Sequence, residues 1–491
     1  MPTSRAEPPD RGLTRRELVE RSVAVAASLA LPFDRDVSAA GGGGANIRAL
    51  QRAMRGPVVT PEQAGYERDR LVFCALYDYI RPLAIAHPVD AADVSAVVRW
   101  ARKEGVHVVA RSGGHSYGGY STTRGVVVDL SRLGGVRVTG TRAVVGPGAR
   151  LGVVYDALAR HGKAIPAGTC PSVGIGGHAL GGGFGLASRA WGLASDNLVA
   201  AQIVTADGAV VAVDADRHPD LYWACRGGGG GNFGIVTRLV FRAHPVRQGS
   251  FFVATWPWAQ VEEVLADYLR WAPAAPDALG SLCRLASGPG GPSVQVIGQF
   301  LGSERRLQGV LAGLRPRAPR LDIGTESWLD LVRRWAGCLG HTLPGCSAPG
   351  HQVFVGASDY IARVPSPAHL AAFREVVEDR GASPGALLID AYGGALNRIP
   401  AAATAFPHRD ELASIQYFAT GDAEAARGWV TRSRAALANA VSGAAYVNYI
   451  DPKLRNWQEA YYGRNLARLQ RIKRRYDPHN LFHFAQSIRA H

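Results

Sequence analysis

No segment of this 491-residue chain approaches the roughly 20 consecutive apolar residues that a membrane-spanning helix requires, so no helical span is expected. Cysteine is scarce. Six in the whole chain cannot form the dense disulfide framework of a small secreted scaffold. Cys338 and Cys346 alone are close enough in sequence to pair in an oxidising compartment, and Cys74, Cys225 and Cys283 read as buried free thiols. Charged residues make up only 19% and hydrophobic residues 47%, which excludes a disordered chain and fits a globular α/β or α+β protein. No fixed period recurs, so the chain is not a repeat protein. Its length allows a sizeable core, divided between two domains.

Positive charge and glycine are abundant. The formal net charge of +15 raises the question of a nucleic-acid partner. The cations are scattered, however, and thicken only from Lys453 to Arg475. There they alternate with Trp457, Tyr461, Leu466, Leu469 and Ile472 at helical spacing. That is the pattern of an amphipathic helix with a solvated face, so no nucleic-acid partner is expected. The charge leaves room for anionic substrates.

The 59 glycines gather around a few reactive side chains. Arg111-Ser112-Gly113-Gly114-His115-Ser116-Tyr117-Gly118-Gly119 holds a histidine in a nearly bare turn. Gly168-Thr169-Cys170-Pro171-Ser172-Val173-Gly174-Ile175-Gly176-Gly177-His178-Ala179-Leu180-Gly181 does the same for a thiol. Glycine lets backbone approach a ligand closely and reaches φ angles that other residues resist. A third run, Gly227 to Gly231 followed by Asn232-Phe233-Gly234-Ile235-Val236, offers backbone N–H groups that can cradle a pyrophosphate. The string Gly174-Ile175-Gly176-Gly177 is poor evidence for a dinucleotide fold of the NAD type. It follows a cysteine loop rather than a strand, and no acidic residue stands after the next strand.

Together these segments resemble the berberine-bridge-enzyme-like flavin oxidases of the vanillyl-alcohol-oxidase and p-cresol-methylhydroxylase superfamily, over residues 71–488. The resemblance implies FAD attached twice, through His115 to the 8α carbon and through Cys170 to carbon 6. Imidazole and thiolate are the side-chain nucleophiles suited to such additions at neutral pH. It further implies cofactor contacts from Arg111, Ser112, Gly113, Gly114, Ser116, Gly118, Val173, Gly174, Gly176, Gly177, Gly181, Asn232, Gly234, Ile235 and Asn448. The implied fold is α+β: a two-part FAD-binding domain of the p-cresol-methylhydroxylase type, with an inserted substrate domain made of an antiparallel sheet covered by helices. The expected division is a leader at 1–44, the FAD domain at 45–245, the substrate domain at 246–440 and a returning segment at 441–491. The last of these contains Asp477-Pro478-His479-Asn480-Leu481-Phe482, similar to the family's closing motif.

The local pattern agrees with that plan. Asp90 caps a helix whose apolar stripe is Val94, Val97, Val98 and Ala101, ended by Gly105. Strands are expected at 106–110, 125–130, 143–146 and 293–301, with a helix at 151–160. Asp207-Gly208 marks a hairpin, and Ser366-Pro367 opens a helix over 368–380. Residues 445–451, Ala-Tyr-Val-Asn-Tyr-Ile-Asp, read as a strand.

Oxidising an alcohol requires a base over the flavin, within hydrogen-bond reach of the substrate oxygen. In relatives a tyrosine of the YVNY-type segment serves, which makes Tyr449 the first candidate here and Tyr446 the second. Strand alternation puts the two on opposite faces, so only one is expected to act. Gln416 matches a substrate-side position and cannot take a proton. Asp390 and Tyr392 would orient base or substrate, and Tyr117 should lie beside the ring. Phe184 departs from the tyrosine of many relatives. Val173 matches the family's oxygen-gating position, where valine goes with oxidases. The expected reaction is oxidation of a hydroxyl on a sugar, oligosaccharide or glycosylated natural product, with O2 reduced to hydrogen peroxide and no metal. The rivals are oxidation of a C–N or C–C bond in an alkaloid- or polyketide-like metabolite, a dehydrogenase with another acceptor, and a flavin- or drug-sequestering binding protein. Oligomeric state is not legible. The leader Leu13-Thr14-Arg15-Arg16-Glu17-Leu18-Val19 resembles a twin-arginine export signal, although Glu20 stands near the place of a frequent lysine. An apolar run at 23–33 and small residues at 37–39 follow it, so export is expected.

Overall fold

A computed structural model describes residues 45–288, 290–348, 350–379 and 384–490. The leader motif and its small-residue site lie outside the described residues. Four short strands, β1 (Val58–Val59), β2 (Ala84–Ala86), β3 (Val108–Arg111) and β4 (Val126–Asp129), form a sheet in the order β1-β2-β4-β3. β2 and β3 both run parallel to β4, which requires a crossover, and α1 (Ala91–Glu104) supplies it. The Asp90 carboxylate accepts the Asp93 N–H at 3.0 Å, and Gly105 closes the helix at φ 66°. Val94, Val97, Val98 and Ala101 are fully buried, as their spacing predicts. Burying each valine contributes about 1.5–3 kcal/mol.

Next along the chain come β5 (Val136–Thr139), β6 (Arg142–Val145), β7 (Lys163–Ala164), β8 (Leu198–Val204), β9 (Val210–Val213), β10 (Ile235–Arg242) and β11 (His244–Pro245). Five of them make an antiparallel sheet, β5-β6-β10-β8-β9, while β7 and β11 pair with each other. The expected hairpin joins β8 and β9, with Gly208 at φ 82° and the Asp207 carboxylate accepting the Ala209 N–H. Between these strands lie α2 (Leu151–Ala159) and α3 (Ile175–Leu180), which flank the cysteine loop.

The third sheet is large and entirely antiparallel. Its strands are β12 (Gln248–Trp256), β13 (Leu279–Gly288), β14 (Gly291–Phe300), β15 (Arg320–Ser327), β16 (Phe354–Ile361), β17 (Gly385–Ala391) and β18 (Ala413–Thr420), in the order β15-β12-β14-β13-β17-β18-β16. Helices α4 (Val261–Ala274), α5 (Pro367–Glu378) and α6 (Ala423–Leu437) bury their apolar stripes on one face, sharing a core with Leu285, Val296, Ile389, Ile415 and Tyr417. Ser366 caps α5 as expected. Alternation sends Leu388, Gln416 and Phe418 to the other face.

Two expectations about the C-terminal segment are corrected. The basic stretch is not one solvated helix. It breaks at Gly463, whose φ is 43°, into Trp457–Tyr462 and α7 (Leu466–Tyr476). Nor are all its cations solvated, because Lys473 is wholly buried. Its ammonium donates to the Asn232 carbonyl at 2.7 Å, the Phe482 carbonyl at 2.5 Å and the Asp477 carboxylate at 2.6 Å. All three N–H donors are therefore used. Asp477 in turn accepts the Leu481 and Phe482 N–H groups. One cation thus ties α7 and the closing motif to the 227–236 glycine run. A buried charge left without its partner costs about 3–5 kcal/mol, whereas an apolar pair of similar volume costs little. We therefore expect Lys473→Met to lower urea-unfolding stability by about that amount, and Lys473→Met with Asp477→Leu to recover most of it.

Candidate active site

The glycine loops meet because Gly113 and Gly174 carry no side chains at the contact. A Cβ on Gly113 would stand 2.3 Å from the Gly174 nitrogen, and one on Gly174 would stand 2.1 Å from Ser112 Oγ. Neither position has room for a side chain. Arg111 steers the first loop from behind the site, buried in an ion pair with Asp129 at 2.7 Å. The result is that His115 and Cys170 share one hydroxyl. Ser172 Oγ lies 3.0 Å from His115 Nε2 and 3.5 Å from Cys170 Sγ. Phe73 stacks on the imidazole with centroids 3.9 Å apart. Burial, aided by the charge of Arg150, pushes the His115 pKa down to about 3. The imidazole is therefore neutral and nucleophilic at any physiological pH.

These loops line a cleft of about 490 Å³. One end holds His115, Cys170, Val173, Tyr117, Gln416, Tyr446, Asn448 and Tyr449. Elsewhere the lining comes from Ser112, Gly113, Gly114, Ser116, Gly174, Gly176, Gly177, Asn232, Gly234, Ile235 and the 482–484 segment. None of the lining residues is Asp, Glu, Lys or Arg, so the nearest positive charge acts from behind the wall, as Arg150 does on His115. Gly118 and Gly181 do not line it. A Cβ on Gly118 would strike the Tyr120 ring at 2.6 Å, and one on Gly181 would strike Asn448 Oδ1 at 2.0 Å, so both serve packing. By contrast, a Cβ on Gly177 would meet nothing within 4 Å, and one on Gly230 only the Gly177 backbone. Side chains at these two positions would grow into the cleft. An uncharged, glycine-walled slot with two nucleophiles at one end fits FAD.

Residues 445–449 are not a strand. Tyr449 N–H donates to the Tyr446 carbonyl at 2.9 Å in a 3₁₀ turn over Val447–Tyr449, and Tyr446 N–H goes to the Ser358 side-chain Oγ at 2.8 Å instead of to a strand backbone. Three-residue spacing puts both tyrosines on one side, ring centroids 5.1 Å apart, so the opposite-face argument fails. Their hydroxyls differ. Tyr446 Oη accepts Gly183 N–H at 2.8 Å, Phe184 N–H at 3.2 Å and Asn448 Nδ2 at 2.8 Å. Tyr449 Oη has no hydrogen-bond partner among the described residues. Its ring stacks on Tyr117 at 5.4 Å, and Tyr117 Oη accepts Gln416 Nε2 at 2.6 Å. Burial raises the pKa of all three phenols. Phe184 lines the cleft and stacks on Tyr392 at 5.3 Å. Asp390 lies just outside the lining, on the same face of β17 as Leu388, and burial pushes its carboxyl up to about 7.

Several residues of the site were not singled out from sequence. Ser172 does not line the cleft but stands behind it within the cysteine motif, and its place between the two nucleophiles exists only once the His115 loop has folded against it. His178, in the same motif, accepts Gly168 N–H at Nε2 (3.0 Å), so its proton sits on Nδ1. Phe73, Gln352, Phe354 and Phe418 come from distant segments and carry no local signal. Phe354 contacts both Tyr117 (4.8 Å) and Phe418 (5.7 Å), extending the aromatic wall from the hydroxyl cluster.

Comparison with known proteins agrees with this geometry. Residues 82–214 match the FAD binding domain family model, and residues 445–489 match the model described as "berberine and berberine like". The chain is 34% identical over 449 residues to the FAD-linked oxidoreductase YgaK of Bacillus subtilis, covering 89% of this chain and 97% of that protein. It is 33% identical over 436 residues to a chitooligosaccharide oxidase of Gibberella zeae, covering 83% and 87% respectively. A solved variant of Physcomitrella patens BBE-like 1 superposes with a TM-score of 0.85 at 31% identity, covering 91% of this chain and 99% of that one. The fold and the cleft define an FAD-dependent oxidoreductase. Within that class the chain belongs to the berberine-bridge-enzyme-like family of the p-cresol-methylhydroxylase superfamily.

The raised pKa of Asp390 has a thermodynamic consequence. Its folded value, about 7, exceeds the ordinary carboxyl value of 3.8, so the unfolded chain ionises first and stability is lost as pH rises between the two. Asp390→Asn cannot ionise. Its melting temperature relative to the parent should therefore rise from pH about 4 to pH about 8, as differential scanning fluorimetry across that range will show.

Proposed function

We propose that the chain is an oxidase carrying FAD joined to both His115 and Cys170, and that it oxidises a hydroxyl group of a sugar, oligosaccharide or glycosylated natural product. The observation that carries this reading is a single cleft with both nucleophiles and the Tyr117–Gln416–Tyr449 cluster at the same end. Bound there, FAD supplies a hydride acceptor at N5. Tyr449 takes the substrate's hydroxyl proton. Burial and the charge of nearby Asp390 both hold its phenol protonated, so Tyr449 must first give its own proton to solvent water before it can take the substrate's. Tyr446, anchored by three N–H donors, fixes the turn that presents Tyr449. Gln416 and Tyr117 hold the substrate oxygen. The wall of Phe354 and Phe418 suits the apolar face of a sugar ring or an attached aromatic group. The chitooligosaccharide oxidase relative supports a carbohydrate substrate.

Val173 lines the cleft beside Cys170 and favours dioxygen as the acceptor, giving hydrogen peroxide. We assign cofactor binding to 45–245 and 441–491, and substrate binding to 246–440. Export is supported by the leader motif and by the Cys338–Cys346 disulfide, a bond typical of oxidising compartments.

Acid precipitation should give a yellow pellet that retains FAD, whereas a colourless pellet removes the covalent attachment. Peroxide formation during turnover of neutral sugars tests the oxidase, and dye reduction without peroxide would make it a dehydrogenase. Tyr449→Phe should slow flavin reduction by about 10²–10⁴-fold in stopped flow while flavin content stays constant. Normal reduction in that variant would move the proton-transfer role elsewhere.

A further inference from the structure

Ser172 has no part in the reading so far except as a neighbour. It is 6% exposed, and its single hydroxyl stands between the two side chains proposed to hold the cofactor, 3.0 Å from His115 Nε2 and 3.5 Å from Cys170 Sγ. A serine hydroxyl has one proton to donate and two lone pairs to accept with. It can therefore take the imidazole N–H on one side and donate to the sulfur on the other. With Nε2 engaged, Nδ1 is the ring nitrogen left for attachment. Phe73 holds the imidazole plane by stacking, and the adjoining Arg150 is tied to the Ser347 carbonyl at 2.7 Å and bridged to Gly174. The three groups form a short, fixed chain, imidazole to hydroxyl to thiol, on two loops that glycine packing clamps together.

We propose that Ser172 is the proton relay for covalent flavin attachment and couples the two tethers to each other. The inference rests on the double attachment proposed above. At His115 a bond forms between Nδ1 and the flavin methyl carbon. One C–H proton and the imidazole proton leave, and two electrons remain on the ring. Dioxygen takes those electrons with two protons and departs as hydrogen peroxide. At Cys170 a bond forms between Sγ and a ring carbon. The ring hydrogen and the thiol hydrogen leave as protons, and the electron pair again goes to dioxygen. Each tether therefore converts one protein hydrogen, one flavin hydrogen and one O2 into one bond and one H2O2. In the first step Ser172 receives the Nε2 proton as its own passes to Cys170 Sγ, while the thiol's previous hydrogen leaves to solvent from this exposed side chain. Afterwards Nε2 is an acceptor, and the hydroxyl reverses to donate to it. The hydroxyl is thus a positioning group for both reactions, and neither loop supplies another side-chain partner to His115 Nε2.

The test is peptide mass analysis of the full-length protein carrying its flavin, for the parent, Ser172→Ala and Ser172→Thr, sampled at intervals after induction. Trypsin releases His115 within residues 112–124 and Cys170 within residues 164–189. Attachment at both sites joins these peptides through one flavin. In Ser172→Ala the joined species should fall at least about tenfold at early times, as expected for losing a proton-transfer group. It should be replaced by singly attached and unattached flavin, while flavin per native protein and melting temperature match the parent. Ser172→Thr, which keeps the hydroxyl, should restore the joined species. Joined peptides in Ser172→Ala at the parental rate would overturn the relay. Loss of native flavin along with the tethers would overturn it in favour of a binding role. Absence of joined peptides in the parent would overturn the double attachment itself, and the relay with it.

Discussion

The site depends on the backbone contact between Gly113 and Gly174. A single methyl group on either would drive the loops apart, because the atoms opposite stand at 2.3 Å and 2.1 Å from where it would sit. Two segments some 60 residues apart in the chain are thereby held close enough for one serine hydroxyl to reach both nucleophiles. The regular elements set up this contact: β3 leads into the first loop, and α2 and α3 bracket the second. The glycine content is therefore less a matter of flexibility than of close approach.

A second constraint closes the cleft. The chain leaves the first two sheets to build the seven-stranded sheet, then returns, and the return is fastened by charge buried far from water. Lys473 joins α7 to the Asn232 and Phe482 carbonyls, while Asn232 Oδ1 accepts the Ile488 N–H at 2.9 Å. Both tied segments line the cleft, so a buried ion pair shapes the slot without entering it. The cleft itself stays uncharged although the surface is strongly basic. Burial there keeps His115 neutral and Tyr449 protonated. The first is what a nucleophile needs, and the second means that the phenol must lose its proton to solvent before it can serve as a base.

From the other side, the seven-stranded sheet brings polar and aromatic groups over this slot. Gln416 and Phe418 share a face of β18, and Gly356 stands opposite Phe418 in register. Its missing side chain lets the Tyr117 ring approach, since a Cβ there would lie 2.6 Å from the ring. The hydroxyl cluster is thus assembled from a glycine loop, a sheet strand and a 3₁₀ turn.

The local devices were legible in the sequence: the α1 stripe with its Asp90 and Gly105 caps, the Asp207-Gly208 hairpin, the Ser366 cap and the two glycine loops with their nucleophiles. Each depends on residues a few positions apart, where spacing and backbone preference decide. The resemblance carried by the glycine motifs extended this to the family and the α+β plan. Tertiary structure decided what depends on distant partners. Residues 445–449 have strand-like composition, but the Ser358 hydroxyl takes the Tyr446 amide that a ladder would have used, and a turn forms instead. Lys473 reads as a solvated cation until Asn232, 241 positions away, and Phe482 supply its carbonyl partners. Ser172 lay in plain view beside Cys170, yet only the approach of the His115 loop gave its hydroxyl a second partner. Short-range geometry is written in the order of residues, whereas the partner of a buried polar group is settled only when the chain has folded around it.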